Sequence, residues 1–574
     1  MRNLRLDGVS RRLGGAGVAA AAAVIAAGLL FPAGLAAQTL PTEALPGVVE
    51  KPAPGAPEGI EEEGVGVEGV VPKPEEIAGA DEVVATLTSV NISGVKVLKK
   101  STVQAVAEPY LNRPVTRGEI AQLKFDIARL YYDKGYILVR VVTPPQDLSD
   151  GSLDIVVYEA TVGNLQVRQD NLLRPYVVNA LTSRVKSGEV FRESTVESMV
   201  NDFNDLNNVD ATLNLMPGSA VGTTDLVLNL DKVKEDEQRV SVDNYGSELT
   251  GDIVGTINLE KTNLLRLGEK LDLDFTATDE GTYTIQGAVK VPIGFRNVMF
   301  EARALHSEIE IGDRLEALNA DGQTDIYDVG FSSRLINMRR QIAEVRIGFQ
   351  ARSHQSDIAN VLDTDDNIRQ VFGEGTYLAR FPNLLLFGSL RLAQGVDILD
   401  ASDKGKVNAT RALGDPEVLL VQPLIFVNYR PIPKGELRVQ ASGQYASDTV
   451  LSSDLFILGG YGSARGFEPA ETTGDSGVQF TVEYDHTLYS WNYRGSAWSA
   501  LAGPFVDGGH VFNRQNGQVQ DSTLVSAGFG AEITTDVSRV GDTKLRFDLA
   551  FPLGSYDSPQ VNNQTVYLRF IQTF

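Results

Sequence analysis

An arginine and an aspartate, each set among small residues, are the positions in this 574-residue chain best placed to form one specific polar contact. Arg465 lies in Phe456-Ile457-Leu458-Gly459-Gly460-Tyr461-Gly462-Ser463-Ala464-Arg465-Gly466-Phe467, a run unlike the alternating segments on either side. Asp507 lies in Phe505-Val506-Asp507-Gly508-Gly509. Small neighbours permit close approach, and a guanidinium meeting a carboxylate inside a barrel would form a bidentate pair able to fix a folded-in loop. Taken singly, each residue has a plainer reading, Arg465 as a surface-loop arginine and Asp507 as an ordinary inward charge. Their joint presence beside a duplicated module, described below, favours the pair.

Other chemistry is poorly supplied. There is no cysteine, which removes disulfides, thiolate metal sites and cysteine nucleophiles together, and His306, His354, His486 and His510 are too scattered to form a ligand cluster. No G-x-x-x-x-G-K-[ST] phosphate loop, H-E-x-x-H helix or G-x-S-x-G elbow occurs, so no metal, cofactor or enzymatic activity is expected. A net charge of −24 argues against a nucleic-acid partner, because phosphate binding needs a basic surface that displaces counterions.

The elements that must position Arg465 and Asp507 follow from the pattern after residue 238. Leu271, Leu273, Phe275 and Ala277 alternate with Asp272, Asp274 and Thr276, and Ile285, Val289, Val291 and Ile293 repeat the scheme around Gln286 and Lys290. So do Val345, Ile347, Phe349 and Ala351 around Arg346, and Leu545, Phe547, Leu549 and Phe551 around Arg546 and Asp548. Apolar residues facing out and charged residues facing in is what a lipid-exposed, water-filled barrel requires. A soluble β-sandwich also alternates, but rarely sets so many charges opposite its buried faces. A mean hydropathy of −0.09 rules out a bundle of membrane-spanning helices. Residues 238–574, at roughly 10 per tilted strand plus turns, predict an antiparallel transmembrane β-barrel of about 16 strands, which must close because an open edge in hydrocarbon leaves backbone groups unpaired.

Ahead of the barrel, residues 1–37 read as a signal peptide: Arg2, Arg5, Arg11 and Arg12 precede an apolar run from Gly14 to Phe31, with Gly34, Ala36 and Ala37 near the expected cut. Ser10-Arg11-Arg12-Leu13 could suggest the twin-arginine route, but that route exports folded proteins and a barrel must cross the inner membrane unfolded. Residues 38–82 are rich in Pro, Gly, Val and Glu with few aromatics, and read as an acidic, disordered linker.

Two similar α+β units are then predicted, at 83–159 and 160–232. In the first, a strand over Val84 to Val97 precedes a short helix from Ser101 to Tyr110. A longer helix is opened by Thr116, with Glu119 completing a capping box. Gly135 ends it, and Ile137 to Thr143 pairs with Leu153 to Tyr158. The second unit repeats the order, its long helix opened by Ser194 with Glu197 as the box partner and followed by strands at Ala211 to Met216 and Asp225 to Asp231. Thr116 and Ser194 stand 78 positions apart.

With these elements in place, the chain resembles the two-partner secretion transporters, the hemolysin secretion/activation (ShlB/FhaC/HecB) family. Arg465-Gly466-Phe467 looks like the family's Arg-Gly-Tyr/Phe motif at the tip of a long loop folded back into the barrel. Phe505, Asp507 and Gly509 match its Phe-x-Asp-x-Gly strand motif, and Asp243-Asn244-Tyr245-Gly246 resembles its first barrel strand. Two departures stand out. Ala464 takes a place usually held by Val, and residues 38–81 lack the long helical period of the barrel-plugging helix that many members carry. The resemblance implies that the α+β units are POTRA domains in the periplasm, and that the barrel, in the cell outer membrane, exports one unfolded exoprotein that folds outside as a β-helix. Client binding is expected at an open sheet edge, with Ile137, Val139 and Val141 or the strand Ala211 to Met216 as candidates. The amphipathic last strand, with Val566, Leu568, Phe570 and Phe574 on one face, looks like the signal read by the barrel-assembly machinery. An insertase that folds other barrels shares the loop motif but usually brings more POTRA repeats. A passive porin or receptor would lack the periplasmic modules and the inward arginine.

Overall fold

Hydrophobic alternation beyond residue 238 has the consequence that periodicity requires: sixteen antiparallel strands close on themselves, the last, Thr565–Thr573, pairing with the first, Gln238–Asp243. The computed structural model describes Asn3–Leu4 and residues 79–574, apart from 207, 234–235, 294–296, 313–319, 339, 359–360, 494, 514–520, 538–540 and 555–563. The rest of the expected leader, and the expected linker as far as residue 78, lie outside the described residues.

Burial in the barrel is inverted relative to a soluble protein. Leu273, Phe275, Ile347, Leu545 and Phe547 are exposed on the outside, whereas Asp272, Arg546 and Asp548 are buried inside. An outward Ile347 that is 64% accessible beside an inward Asp548 at 0% makes sense only if the outer solvent is hydrocarbon. The strands lengthen away from the closure, from Gln238–Asp243 to Val361–Phe381.

The first α+β unit builds a three-stranded sheet in which Ser152–Glu159 lies between Ser89–Ser93, to which it is parallel, and Val139–Val142, to which it is antiparallel. The continuous strand expected over Val84 to Val97 is instead two, Val83–Leu87 and Ser89–Ser93. They divide at Thr88, whose N–H and hydroxyl both donate to the Gly151 carbonyl, and Val83–Leu87 pairs separately with Arg113–Thr116. Helix α1, Lys100–Ala105, and helix α2, Arg117–Tyr132, cover the sheet, Leu123, Ile127 and Tyr131 supplying the buried stripe. The α2 capping box is present: the Thr116 hydroxyl accepts the Glu119 N–H at 3.2 Å and the Glu119 carboxylate accepts the Thr116 N–H at 2.8 Å. Gly135, at φ +81°, lets the chain leave the helix, and the Tyr136 N–H closes on the Tyr131 carbonyl.

The second unit repeats the strand order, with Thr223–Lys232 parallel to Thr161–Gln169 and antiparallel to Val209–Pro217. Asn3–Leu4 pairs with Asn214 and Leu213 on the outer side of that last strand. Helix α3, Pro175–Thr182, and helix α4, Glu193–Asn204, bury Val177, Leu181, Met199, Val200 and Phe203 against the sheet. Here one expectation fails. Ser194 is not the N-cap and Glu197 makes no capping box; the cap position is Arg192, with no side-chain cap bond. The first turn of α4 is satisfied from outside, because the Glu193 N–H donates to the carbonyl of Gly135 in the first unit at 2.9 Å. The turn that ends α2 therefore starts α4, which ties the two units together. Ile137 belongs to the same junction. The strand begins at Val139, and Ile137 packs against the core of the second unit.

The second unit docks on the barrel at a turn and at a strand end. Arg174 donates its N–H to the Arg266 carbonyl at 2.9 Å and its Nε to the Leu265 carbonyl at 3.0 Å. At the end of the strand Ala320–Met338, Asn337 donates to Asp202 at 2.8 Å and to Asp205 at 2.7 Å, and Arg334 pairs with Asp205.

Candidate functional site: a loop pinned inside the barrel

The connection 447–475, between the strands Gly435–Ala446 and Ser476–Tyr493, turns into the barrel instead of away from it. Its arms form a small hairpin, Phe456–Leu458 against Thr472–Gly474. The tip is a tight turn in which the Ser463 hydroxyl accepts the Gly459 N–H at 2.8 Å and the Gly460 N–H donates to the Phe467 carbonyl. Phe467, Phe456, Leu458 and Ala464 bury together with Val511 and Leu524 of the wall, so an apolar contact seats the tip before any charge is considered.

At that tip Arg465 and Asp507 meet. Arg465 donates from Nε at 2.7 Å and from Nη2 at 3.0 Å to the two carboxylate oxygens of Asp507, the bidentate fork that the residue types favour. Its Nη1 reaches Glu483 at 3.0 Å and Asp548 at 3.3 Å. The guanidinium carbon lies 3.4 Å from the centre of the Phe505 ring, so the phenylalanine two residues before Asp507 forms a floor for the cation. Arg465 is 4% accessible and Asp507 1%. Charges this deep are tolerated only because each is paired and hydrogen-bonded.

The glycines have steric roles. Gly466 takes φ +96° and donates its N–H to the Tyr567 hydroxyl at 2.9 Å, while an added Cβ would sit 3.2 Å from Pro552. At Gly509 a Cβ would meet the Leu458 side chain at 2.5 Å and the Val478 carbonyl at 2.7 Å, so this glycine admits the loop's Leu458.

Residue patterns alone did not disclose the rest of the cluster. Arg546 donates to Glu483 at 2.8 Å and to Asp548 at 2.7 Å, and Arg438 donates to Glu483 and Asp485. Their signal was inward parity on alternating strands, which marks a lumenal charge without naming its partner. Tyr245, in the segment likened to a first barrel strand, stacks on Tyr461 of the loop with ring centres 3.6 Å apart, and Tyr567 meets both rings edge-on. The loop thus touches walls that stand at both ends of the sequence of the barrel.

This arrangement, α+β units followed by a closed 16-stranded barrel, has counterparts among known proteins. The haemolysin secretion/activation family ShlB/FhaC/HecB matches residues 222–533, and the ShlB-type POTRA domain matches residues 85–160.

The chain belongs to the haemolysin secretion/activation family.

Among its relatives, the heme/hemopexin transporter protein HuxB of Haemophilus influenzae is 22% identical over 496 residues, covering 82% of this chain and 83% of its own. The outer membrane transporter CdiB of Dickeya dadantii is also 22% identical, covering 79% and 80%. The solved structure of CdiB from Escherichia coli superposes with a TM-score of 0.73 at 19% identity, covering 88% of this chain and 93% of that one. As a member of this family, the protein is an outer-membrane transporter of two-partner secretion that works with a secreted exoprotein. Its barrel lies in the outer membrane and its POTRA domain in the periplasm.

Proposed function

We propose that this transporter takes one dedicated large exoprotein, unfolded, from POTRA modules at 83–159 and 160–232 and passes it through the barrel past the loop held by Arg465. The observation that carries this reading is the bidentate Arg465–Asp507 pair on a loop folded into the lumen, since a passive pore has no use for a plug anchored by buried charge. Client capture by strand addition suits Val139–Val142, which among the described residues pairs on one side only, with Ser152–Glu159. Main-chain bonds there would supply affinity, while the inward-packed Val139 and Val141 keep the edge extended. Ile137, packed at the junction of the units, would then set the angle between them rather than touch the client. The edge at Ala211 to Met216 is the alternative.

The outer membrane offers no ATP, so net movement would come from stepwise binding and from folding of the client outside as a β-helix. The exposed belt of Leu568, Phe570 and Phe574 on the last strand would meet lipid, and would also serve the barrel-assembly machinery as an insertion signal.

The deciding experiment compares a deletion strain with one carrying Arg465→Ala. Periplasmic accumulation of one large exoprotein in both, with normal barrel abundance in the second, is the expected result. Accumulation of many unfolded barrels would replace the transporter reading with that of an insertase.

A further inference from the structure

The inward loop has a second anchor at its shoulder, formed by the short turn Ser452–Asp454. Asp454 accepts Arg352 Nη1 at 2.6 Å and Gln370 Nε2 at 3.0 Å, and Arg352 also donates to the Ser453 carbonyl at 2.9 Å. Arg352 and Gln370 belong to the strands Gln341–Ile358 and Val361–Phe381, whereas the tip contacts Asp507, Glu483 and Asp548 on Ser496–Phe512, Ser476–Tyr493 and Gly541–Pro552. The loop is therefore held at two separate places on the wall, and Gln444, on the strand the loop leaves, also donates to the Asp454 carbonyl at 2.6 Å. Val450 and Leu455 pack on Phe372, Ala393, Leu420 and Ala446 of the wall, so this shoulder has an apolar seat as well.

The two anchors are unequal. The tip joins one guanidinium to three carboxylates, an aromatic floor and the Gly466–Tyr567 bond. The shoulder joins one guanidinium to one carboxylate. Part of its hold is also borrowed from a neighbouring connection, 396–418. The Thr410 hydroxyl accepts the Ser452 N–H at 3.1 Å and pairs with Asp366 of the wall. Arg411 donates to the Val450 carbonyl at 2.6 Å, to Asp475 at 2.5 Å and to Asn513 at 3.0 Å. A strap that is itself a loop can shift without breaking the barrel ladder, which the strand-borne partners at the tip cannot do.

We propose that the Asp454 shoulder is the releasable anchor of the inward loop: Arg352, Thr410 and Arg411 hold it closed, and its release lets the loop pivot about the seated Arg465 to clear the lumen for an extended polypeptide. This rests on the transporter reading, but it concerns gating and can be measured without any client. Arg352 and Asp454 are positioning residues here, acting through the loop.

The test uses the full chain, purified and inserted into planar lipid bilayers, with channel openings recorded for wild type, Asp454→Asn and Arg352→Gln. Openings more frequent by about fivefold or more are expected for both variants, with an unchanged heat-induced gel shift showing an intact barrel. The exchange Arg352→Asp with Asp454→Arg should return gating toward wild type, which a general loss of packing would not do. Wild-type gating in both single variants overturns the proposal. Should either variant fail to fold, Thr410→Val, which keeps every charge, decides instead: more frequent openings support the strap and unchanged openings refute it. Failure of the transporter reading would appear separately, as accumulation of many unfolded barrels in place of one exoprotein in the deletion strain.

Discussion

Asn244 acts as a side-chain rung opposite Leu568. Its Oδ1 accepts the Leu568 N–H at 2.7 Å and its Nδ2 donates to the Val566 carbonyl at 2.9 Å, continuing the closure beyond Asp243, where the first strand ends. The closure pairs Arg239–Asp243 with Arg569–Thr573, whereas the other side of the last strand pairs from Thr565 through Thr573. Asn244 makes up part of that difference.

Asn244→Ala should lower the temperature at which the barrel loses its gel shift. It removes a donor and an acceptor from a short seam, leaving backbone groups that cost about 1–3 kcal/mol each if they stay unsatisfied. Asn244→Asp keeps the acceptor but loses the donor and should fall between. An unchanged midpoint for the alanine variant would show that water replaces the amide.

Arg465→Lys should behave much more like Arg465→Ala than like wild type in an export assay. Lysine keeps the charge but cannot present a fork to Asp507 while also reaching Glu483 and Asp548. The alanine variant, which leaves three buried carboxylates short of a cation, should destabilise the seated loop by about 3–5 kcal/mol. Protease accessibility of the connection 447–475 in intact cells reads this directly.

Gly466→Ala should unseat the tip while keeping every charge. A φ of +96° is strained for any L side chain, and the new methyl would press on Pro552. A cost of roughly 1–3 kcal/mol is expected. Export equal to wild type with an unchanged loop cleavage pattern would contradict it.

Thr116→Ala should cost about 1 kcal/mol in the stability of the POTRA domain, because it removes half of a formed capping box. Ser194→Ala, at the position of similar local sequence, should stay within about 0.5 kcal/mol, because α4 is capped by the Gly135 carbonyl. Chemical denaturation followed by circular dichroism compares the two.

Asp202, where α4 meets the end of the strand Ala320–Met338, should give docking a measurable pH dependence. Burial pushes its carboxyl up to about 6 from 3.8; Arg184, the Asn337 hydrogen bond and Arg334 oppose the rise, and Asp205 reinforces it. The folded state therefore binds the proton more tightly than the unfolded one. Its contribution is fully present below about pH 3.8, declines as pH rises through the window to about 6, and is lost above it. The wild-type minus Asp202→Asn difference in unfolding free energy should change by on the order of 2–3 kcal/mol across that window. A flat difference from scanning calorimetry in detergent would refute it.

Much of this molecule was legible residue by residue. Alternation at Leu271–Ala277 or Leu545–Phe551 dictates strands with one greasy and one wet face, since side chains on a strand reverse with every residue, and closure follows because hydrocarbon cannot satisfy an open edge. The box at Thr116 and Glu119 was legible for the same reason, its partners lying three residues apart. At Ser194 equally good local chemistry misled, because a carbonyl from another unit reached the helix first.

What the sequence by itself determined was therefore the run of barrel strands, the facing of their side chains, and the two residues, Arg465 and Asp507, suited to one buried pair. Only the tertiary structure decided that Glu483 and Asp548 share that arginine, and that Arg352 holds Asp454 from 102 positions away. Parity along a strand fixes inward or outward, but which inward charges meet depends on the stagger of sixteen strands and the path of a loop inside the barrel, and no short-range pattern encodes either.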